Sequence, residues 1–379
     1  MPAPRSLAPL LLLPGGLALL TGMDAGLTLA GVLAPVASAR LAQLHGPLMV
    51  LGFLGTVIAL ERATALRAAW AFLAPALCAA GALALVLLPA PLLGRLLLAQ
   101  GLLTLVLVYA VLWRRNRDVT VAVEGLGAVL AFAAALLLTR VEVAAVLPLL
   151  LGFVVLTIAA ERVELARLSM PAGAGDRVAV RAGAVALTAT TVVAVSAVAV
   201  ADAVAWRALG LSLLLLTVWL VRHDVARRTI NATGLPRFAA AALLAGYVWL
   251  ALAGLLLLVA GRPQGSVYDV VVHATFLGFA MSMILAHAPV ILPAVLRVRL
   301  PYHRAMWVPL VLLHLTLAGR IISLAMVGIG LRTLPLWQLA LLGNVAALLL
   351  FLLTSVVIGT RATRAAGRRP APAETMHHA

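Results

Sequence analysis

The chain has eight histidines. Those inside long apolar stretches carry the most chemical capacity, because an imidazole in hydrocarbon is costly unless it is hydrogen-bonded or ligated. His45 opens one such stretch in the run His45-Gly46-Pro47-Leu48-Met49, and His273 lies a few residues into another, near Tyr268 and Asp269. The helices that carry them are predicted to enter the membrane from the same side, which places both imidazoles at matched, shallow depth on separate helices. Two such nitrogens are what axial ligation of a haem iron requires, and Gly46, Gly278 and Ala274 leave space for a flat macrocycle. Two interfacial histidines bonded to water or to carbonyls are the alternative.

His287 follows on the same face as His273 but about 21 Å deeper, so it belongs to a different site. With His303 and His314 it forms a candidate second metal site or a proton route, against the plainer expectation of separate hydrogen-bonded roles. Met281 and Met283 supply soft sulfurs that suit copper(I), although methionine is ordinary in apolar helices. Arg320 and either Arg40 or Arg262 are candidates to fork onto haem propionates, or else to snorkel to the interface. Glu61-Arg62 and Glu161-Arg162 close two spans, where interhelical ion pairs are expected, and Glu124 and Glu142 sit near span ends. His223 stands beside Asp224 in a basic loop, and His377 and His378 lie in a Pro/Ala/Arg tail.

These residues must be positioned by membrane helices. Hydrophobic residues make up 64% of the chain, charged residues only 11%, and the mean hydropathy is +1.15, more apolar side chain than a water-soluble core of this length can enclose. Continuous Leu/Ala-rich stretches of about twenty residues match helices crossing a hydrocarbon core of roughly 30 Å, and lack the alternation of barrel strands. Twelve spans are predicted, over 8–34, 42–60, 69–89, 93–113, 121–139, 143–161, 178–201, 205–222, 237–260, 268–292, 305–328 and 335–359. The first is too long for the core of a signal peptide. The fold class is therefore an all-α polytopic membrane domain over 1–360, with a disordered cytoplasmic tail over 361–379.

The net charge of +16 comes from arginine alone among the bases. The arginines sit between the apolar spans as anchors, so a nucleic-acid partner is not expected and membrane lipid is. They favour the N-terminus, the even-numbered loops and the tail over the other side by about three to one, which predicts both termini inside. The single cysteine, Cys78, excludes an intrachain disulfide and a thiolate cluster. No Walker A loop, dinucleotide fingerprint, HExxH or Gly-x-Ser-x-Gly elbow occurs.

A repeat is visible at an offset of one hundred residues. Leu51-Gly52-Phe53 with Ile58-Ala59 and Glu61-Arg62 matches Leu151-Gly152-Phe153 with Ile158-Ala159 and Glu161-Arg162, and Leu277-Gly278-Phe279 with Ile284 is a weaker third copy. The copies fall on predicted helices 2, 6 and 10, which implies three groups of four helices over about 8–113, 121–222 and 237–359. His45 lies seven residues before Gly52 whereas His273 lies five before Gly278, so the two histidines are not strictly equivalent in the repeat.

The segment from His45 to Gly52-Phe53 and the run from His273 through Leu277-Gly278-Phe279 to His287-Ala288-Pro289 resemble the NnrS-like membrane proteins and, more distantly, haem-copper oxidase subunit I. The resemblance implies twelve helices in three arcs and a low-spin haem held by His45 and His273. It also implies association with haem and copper and a part in bacterial responses to nitric oxide, in the inner membrane. The oxidases place copper-ligating histidines on helices 6 and 7, but here no histidine falls between His45 and His223, so oxygen reduction at a binuclear centre is not expected. The expected function is haem binding in nitric oxide or respiratory-stress physiology, with nitric oxide or a respiratory redox partner. A multi-pass transporter with Pro-interrupted spans at Pro75, Pro148, Pro289, Pro293 and Pro309, or an assembly partner in a respiratory complex, are the alternatives.

Overall fold

The computed structural model describes residues 8–169, 183, 203–296, 299–328, 330, 331 and 333–367. Ten helices among them are long and apolar enough to cross a membrane. We number the long helices α1 (Ala8–Leu29), α2 (His45–Leu66), α3 (Ala69–Leu87), α4 (Leu92–Asn116), α5 (Val119–Leu137), α6 (Leu147–Ser169), α7 (Ala203–His223), α8 (Gly234–Ala260), α9 (Gly265–Pro293), α10 (Trp307–Gly328) and α11 (Leu334–Gly367). The ten comprise all of these except α6, whose last third carries Glu161, Arg162 and Glu164. The predicted span over 178–201 lies outside the described residues apart from Gly183. The protein is thus an all-α, multi-pass membrane protein, and leucines and valines such as Leu13, Leu87, Val248 and Leu315 face outward, as a lipid-facing surface demands.

Local sequence sets the ends of these helices. Asp118 caps α5 by accepting from the Thr120 amide at 3.0 Å. Arg67 and Arg117 end α2 and α4 in the left-handed conformation (φ 59° and 51°), and the Arg117 guanidinium lies over the Trp113 ring at 4.8 Å. The last helix differs from expectation: it runs on past 360 to Gly367, through a stretch of good helix formers that includes Arg361 and Arg364.

Short connections make sequential helices pack side by side, as in α3 with α4, α4 with α5, α5 with α6, α7 with α8 and α10 with α11. Close approach of α3 and α4 depends on small residues, since a Cβ on Gly81 would lie 2.7 Å from the Leu98 amide nitrogen. At the centre, α9 touches α1, α2, α6, α8 and α10. The two histidine-bearing spans are the most enclosed of the ten, with 67% of the apolar window buried in α9 and 61% in α2.

Both of these spans change pitch just inside the histidine. Leu48–Leu54 in α2 and Ala274–Ala280 in α9 are π-helical, and each contains a copy of the Leu-Gly-Phe repeat. The copy at Leu151-Gly152-Phe153 in α6 lies in ordinary α-helix and has no histidine before it. A π segment adds a residue to the turn and re-aims what precedes it, which is why such segments gather at functional positions.

Candidate functional site

The packing of α2 against α9 brings His45 and His273 together although their sequence offsets differ. Their ring centroids are 6.4 Å apart and the ring planes are inclined by 22°. Each Nδ1 is committed to a neighbour: that of His45 to the Gly22 carbonyl at 2.7 Å, and that of His273 to the Asp269 carbonyl and to Asp269 Oδ1, both at 2.8 Å. This leaves Nε2 of each ring as the nitrogen available to a ligand. Gly26 supplies the clearance for His45, because a Cβ there would sit 3.0 Å from His45 Cε1.

Behind His273 stands a charged chain that sequence reading does not assemble. Arg320 Nη2 donates to Asp269 Oδ1 and Oδ2 at 2.7 and 2.8 Å, and its Nε donates to the same oxygens at 3.1 Å. The Arg320 guanidinium also lies 5.6 Å from the centre of the Trp337 ring. Asp269 thus neutralises Arg320 on one side and orients His273 on the other, the arrangement that fixes the tautomer and raises the basicity of a ligating imidazole.

The two rings open into a cavity of about 430 Å³ between α1, α2, α9 and α11, within the range of small-molecule and cofactor sites. Its walls are largely apolar, with Met23, Met49, Phe53, Phe276, Leu277 and Leu341 among them; Arg320, Trp337 and Asn344 also line it. Two buried polar atoms on that wall have no hydrogen-bond partner, Trp337 Nε1 and Asn344 Oδ1. Asn344 itself is anchored by its amide nitrogen, which donates to Thr316 Oγ1 at 2.6 Å. Buried polar atoms normally find partners, and these two unpaired groups belong to residues that line the cavity.

The remaining candidates separate. Arg40 caps the end of α3, donating to the carbonyls of Leu85 and Leu88 at 2.8 Å and of Val86 at 2.5 Å; it is spent on backbone and does not line the cavity. Arg262 is exposed and also absent from the cavity wall. His287 Nδ1 donates to the Met283 carbonyl at 2.7 Å, and its Nε2 accepts from Arg162 Nη1 at 3.3 Å. His314 accepts from Trp249 Nε1 at 2.7 Å and stacks on that ring, and His303 accepts from the Ala305 amide at 3.1 Å in an exposed turn. Among the described residues no group of three or more His, Cys, Asp and Glu is placed to hold a metal ion, so His287, His303 and His314 do not share such a site. Of the two methionines, Met281 lines the histidine cavity and Met283 does not.

A family model matches residues 8–360, nearly the whole described chain, and its description is Domain of unknown function (DUF8744). The chain belongs to that family. No curated protein and no solved structure matches the DUF8744 chain. The matched region holds every element of the histidine cavity, from Gly22 on α1 to Asn344 on α11.

Proposed function

We propose that this DUF8744 protein binds one haem between His45 and His273 and works in nitric oxide or respiratory-stress physiology, in the manner of the NnrS-like proteins it resembles. The observation that carries the proposal is the pair of imidazoles 6.4 Å apart with both Nδ1 atoms occupied. Two imidazoles that share one metal, each at about 2.0 Å, place their ring centroids about 6 Å apart. The residues around the pair fit the group: Gly26 clears His45, the walls are largely apolar, and the lining includes Arg320, Trp337 and Asn344.

His45 and His273 would hold the iron, and Arg320 would place positive charge beside the propionates while remaining paired with Asp269. A haem with two imidazole ligands supplies one-electron transfer at a potential set by ligand basicity and burial, which favours exchange with a respiratory redox partner over capture of a gas at an open position. The chain's own work is to exclude water, fix both imidazole tautomers and aim them. Copper is not needed for this role. The same reading sets twelve spans in three groups of four, the two beyond the ten being α6 and the stretch over 178–201, with both termini on the cytoplasmic side of a bacterial inner membrane.

The test is the visible spectrum, oxidised and reduced, of protein purified from membranes supplied with haem, beside His45→Ala and His273→Ala. A sharp low-spin spectrum lost in either variant is the expected result. Well-folded wild-type protein without haem would overturn the assignment and favour the transporter alternative, for which the apolar cavity would be a solute site tested by flux into liposomes.

A further inference from the structure

A second polar centre lies at the other end of α2, seventeen residues and about 25 Å from His45. The Arg62 guanidinium there receives carboxylates from three helices. Nη2 donates to Glu61 Oε1 at 3.0 Å and to Glu161 of α6, and Nη1 donates to Glu124 Oε2 of α5 at 3.3 Å. The side chains of Glu61 and Glu161 are 28% and 24% exposed, whereas that of Glu124 is fully buried.

One arginine faces three carboxylates, so full ionisation leaves two uncompensated negative charges in an apolar bundle, an excess that binding of one proton halves. The nearby charges do not supply the balance. Arg162 is saturated by Asp224 through two hydrogen bonds of 2.7 Å, His287 faces Arg162, and Glu164 adds a further negative charge. Tyr247 is committed to Asp224.

Two further observations point into the cluster. Glu124 Oε1 is buried without a hydrogen-bond partner, and so is the hydroxyl of Tyr109, a residue 1% exposed whose ring lies 6.0 Å from the Arg62 guanidinium. An unpaired carboxylate oxygen is an expensive burial, but a carboxyl O–H in its place can donate to a neighbouring oxygen.

We propose that Glu61, Glu124, Glu161 and Arg62 form a proton-binding site, with the proton held on Glu124 and exchanged with water through the part-exposed Glu61 and Glu161. The step is addition of one proton from water to the Glu124 carboxylate, with no other bond made or broken. The site is separate from the histidine cavity, so it stands whether or not haem is bound.

The test is difference infrared spectroscopy of the full chain in liposomes of neutral lipid. A protonated-carboxyl C=O band at neutral pH that shifts in heavy water, is absent from Glu124→Gln and disappears on alkaline titration is the expected result. Because Asp24 also has a buried oxygen without a partner, the assignment rests on the wild-type minus Glu124→Gln difference. Tyr109→Phe, which keeps the carboxylates, should move the band without removing it. No exchange-sensitive carboxyl band in wild type, or one unaltered in a folded Glu124→Gln, would overturn the proposal.

Discussion

Asp269 meets Arg320 in a two-toothed fork, with both carboxylate oxygens within 2.8 Å of one guanidinium nitrogen, and the same carboxylate reaches His273 Nδ1. Arg320 is 8% exposed, so its charge depends on this partner. Asp269→Asn keeps the shape but strands the arginine, and is expected to cost about 3 kcal/mol, as breaking a buried pair generally does. The measurement is thermal unfolding of purified protein, and an unchanged midpoint would mean that water satisfies Arg320. With haem bound, the same variant should also raise the reduction potential, because His273 keeps the backbone carbonyl but loses the negative charge that makes it a stronger donor to the metal.

Gly26 offers a sharper separation of site from scaffold. A side chain there collides with His45, whereas one at Gly16 on the same helix meets nothing within 4 Å. Gly26→Leu is expected to weaken haem retention at least about tenfold, roughly 1.4 kcal/mol, while Gly16→Leu retains it. Equal retention in the two would show that His45 is not held by the clearance at Gly26.

The helices were legible in the sequence because a membrane span writes itself in local composition, and α4, α5 and α9 lie within a few residues of their predicted ends. His45 and His273 were legible as a pair for the same reason, through depth along two apolar runs. Their mutual aim was not. The π-helical turns at Leu48–Leu54 and Ala274–Ala280 stand in the same register to Gly52 and Gly278, so the unequal offsets persist, and it is the packing of the two helices that aims the rings at each other. The partners of the charged groups were equally hidden. Asp269 finds Arg320 51 positions away, and Arg62 finds Glu124 62 positions away, separations that only helix packing closes.

Acid sensitivity should arise at Asp224, in the link after α7. Burial pushes its carboxyl upward, but the hydrogen bonds and charge of Arg162, with those from Tyr247 and the Ala226 amide, outweigh it and hold the group below the usual carboxylate range. A depressed carboxylate stabilises the fold above its unfolded value, and that contribution is lost as pH falls through the folded value. Wild-type stability from this group is therefore complete above about pH 5 and declines below about pH 4. Asp224→Asn should be less stable at neutral pH by about 3 kcal/mol and lose this part of the acid slope. Parallel stability profiles for the two proteins would refute the account.

Arg40 distinguishes a structural arginine from a cofactor arginine. Its type and position near His45 fit a propionate partner, yet its guanidinium is filled by three carbonyls at the end of α3. Those carbonyls are the unpaired acceptors that every helix leaves in its last turn, and a charged donor satisfies them better than water at a partly buried end. Arg40→Met is expected to lower stability by about 2 kcal/mol through the loss of charged hydrogen bonds, with haem content and spectrum unchanged. Arg320→Met should instead alter both, since Arg320 faces the cavity and supports His273 through Asp269. Measured together by unfolding midpoint and haem absorbance, the two variants assign each arginine. Loss of haem in a stable Arg40→Met protein would return Arg40 to the site.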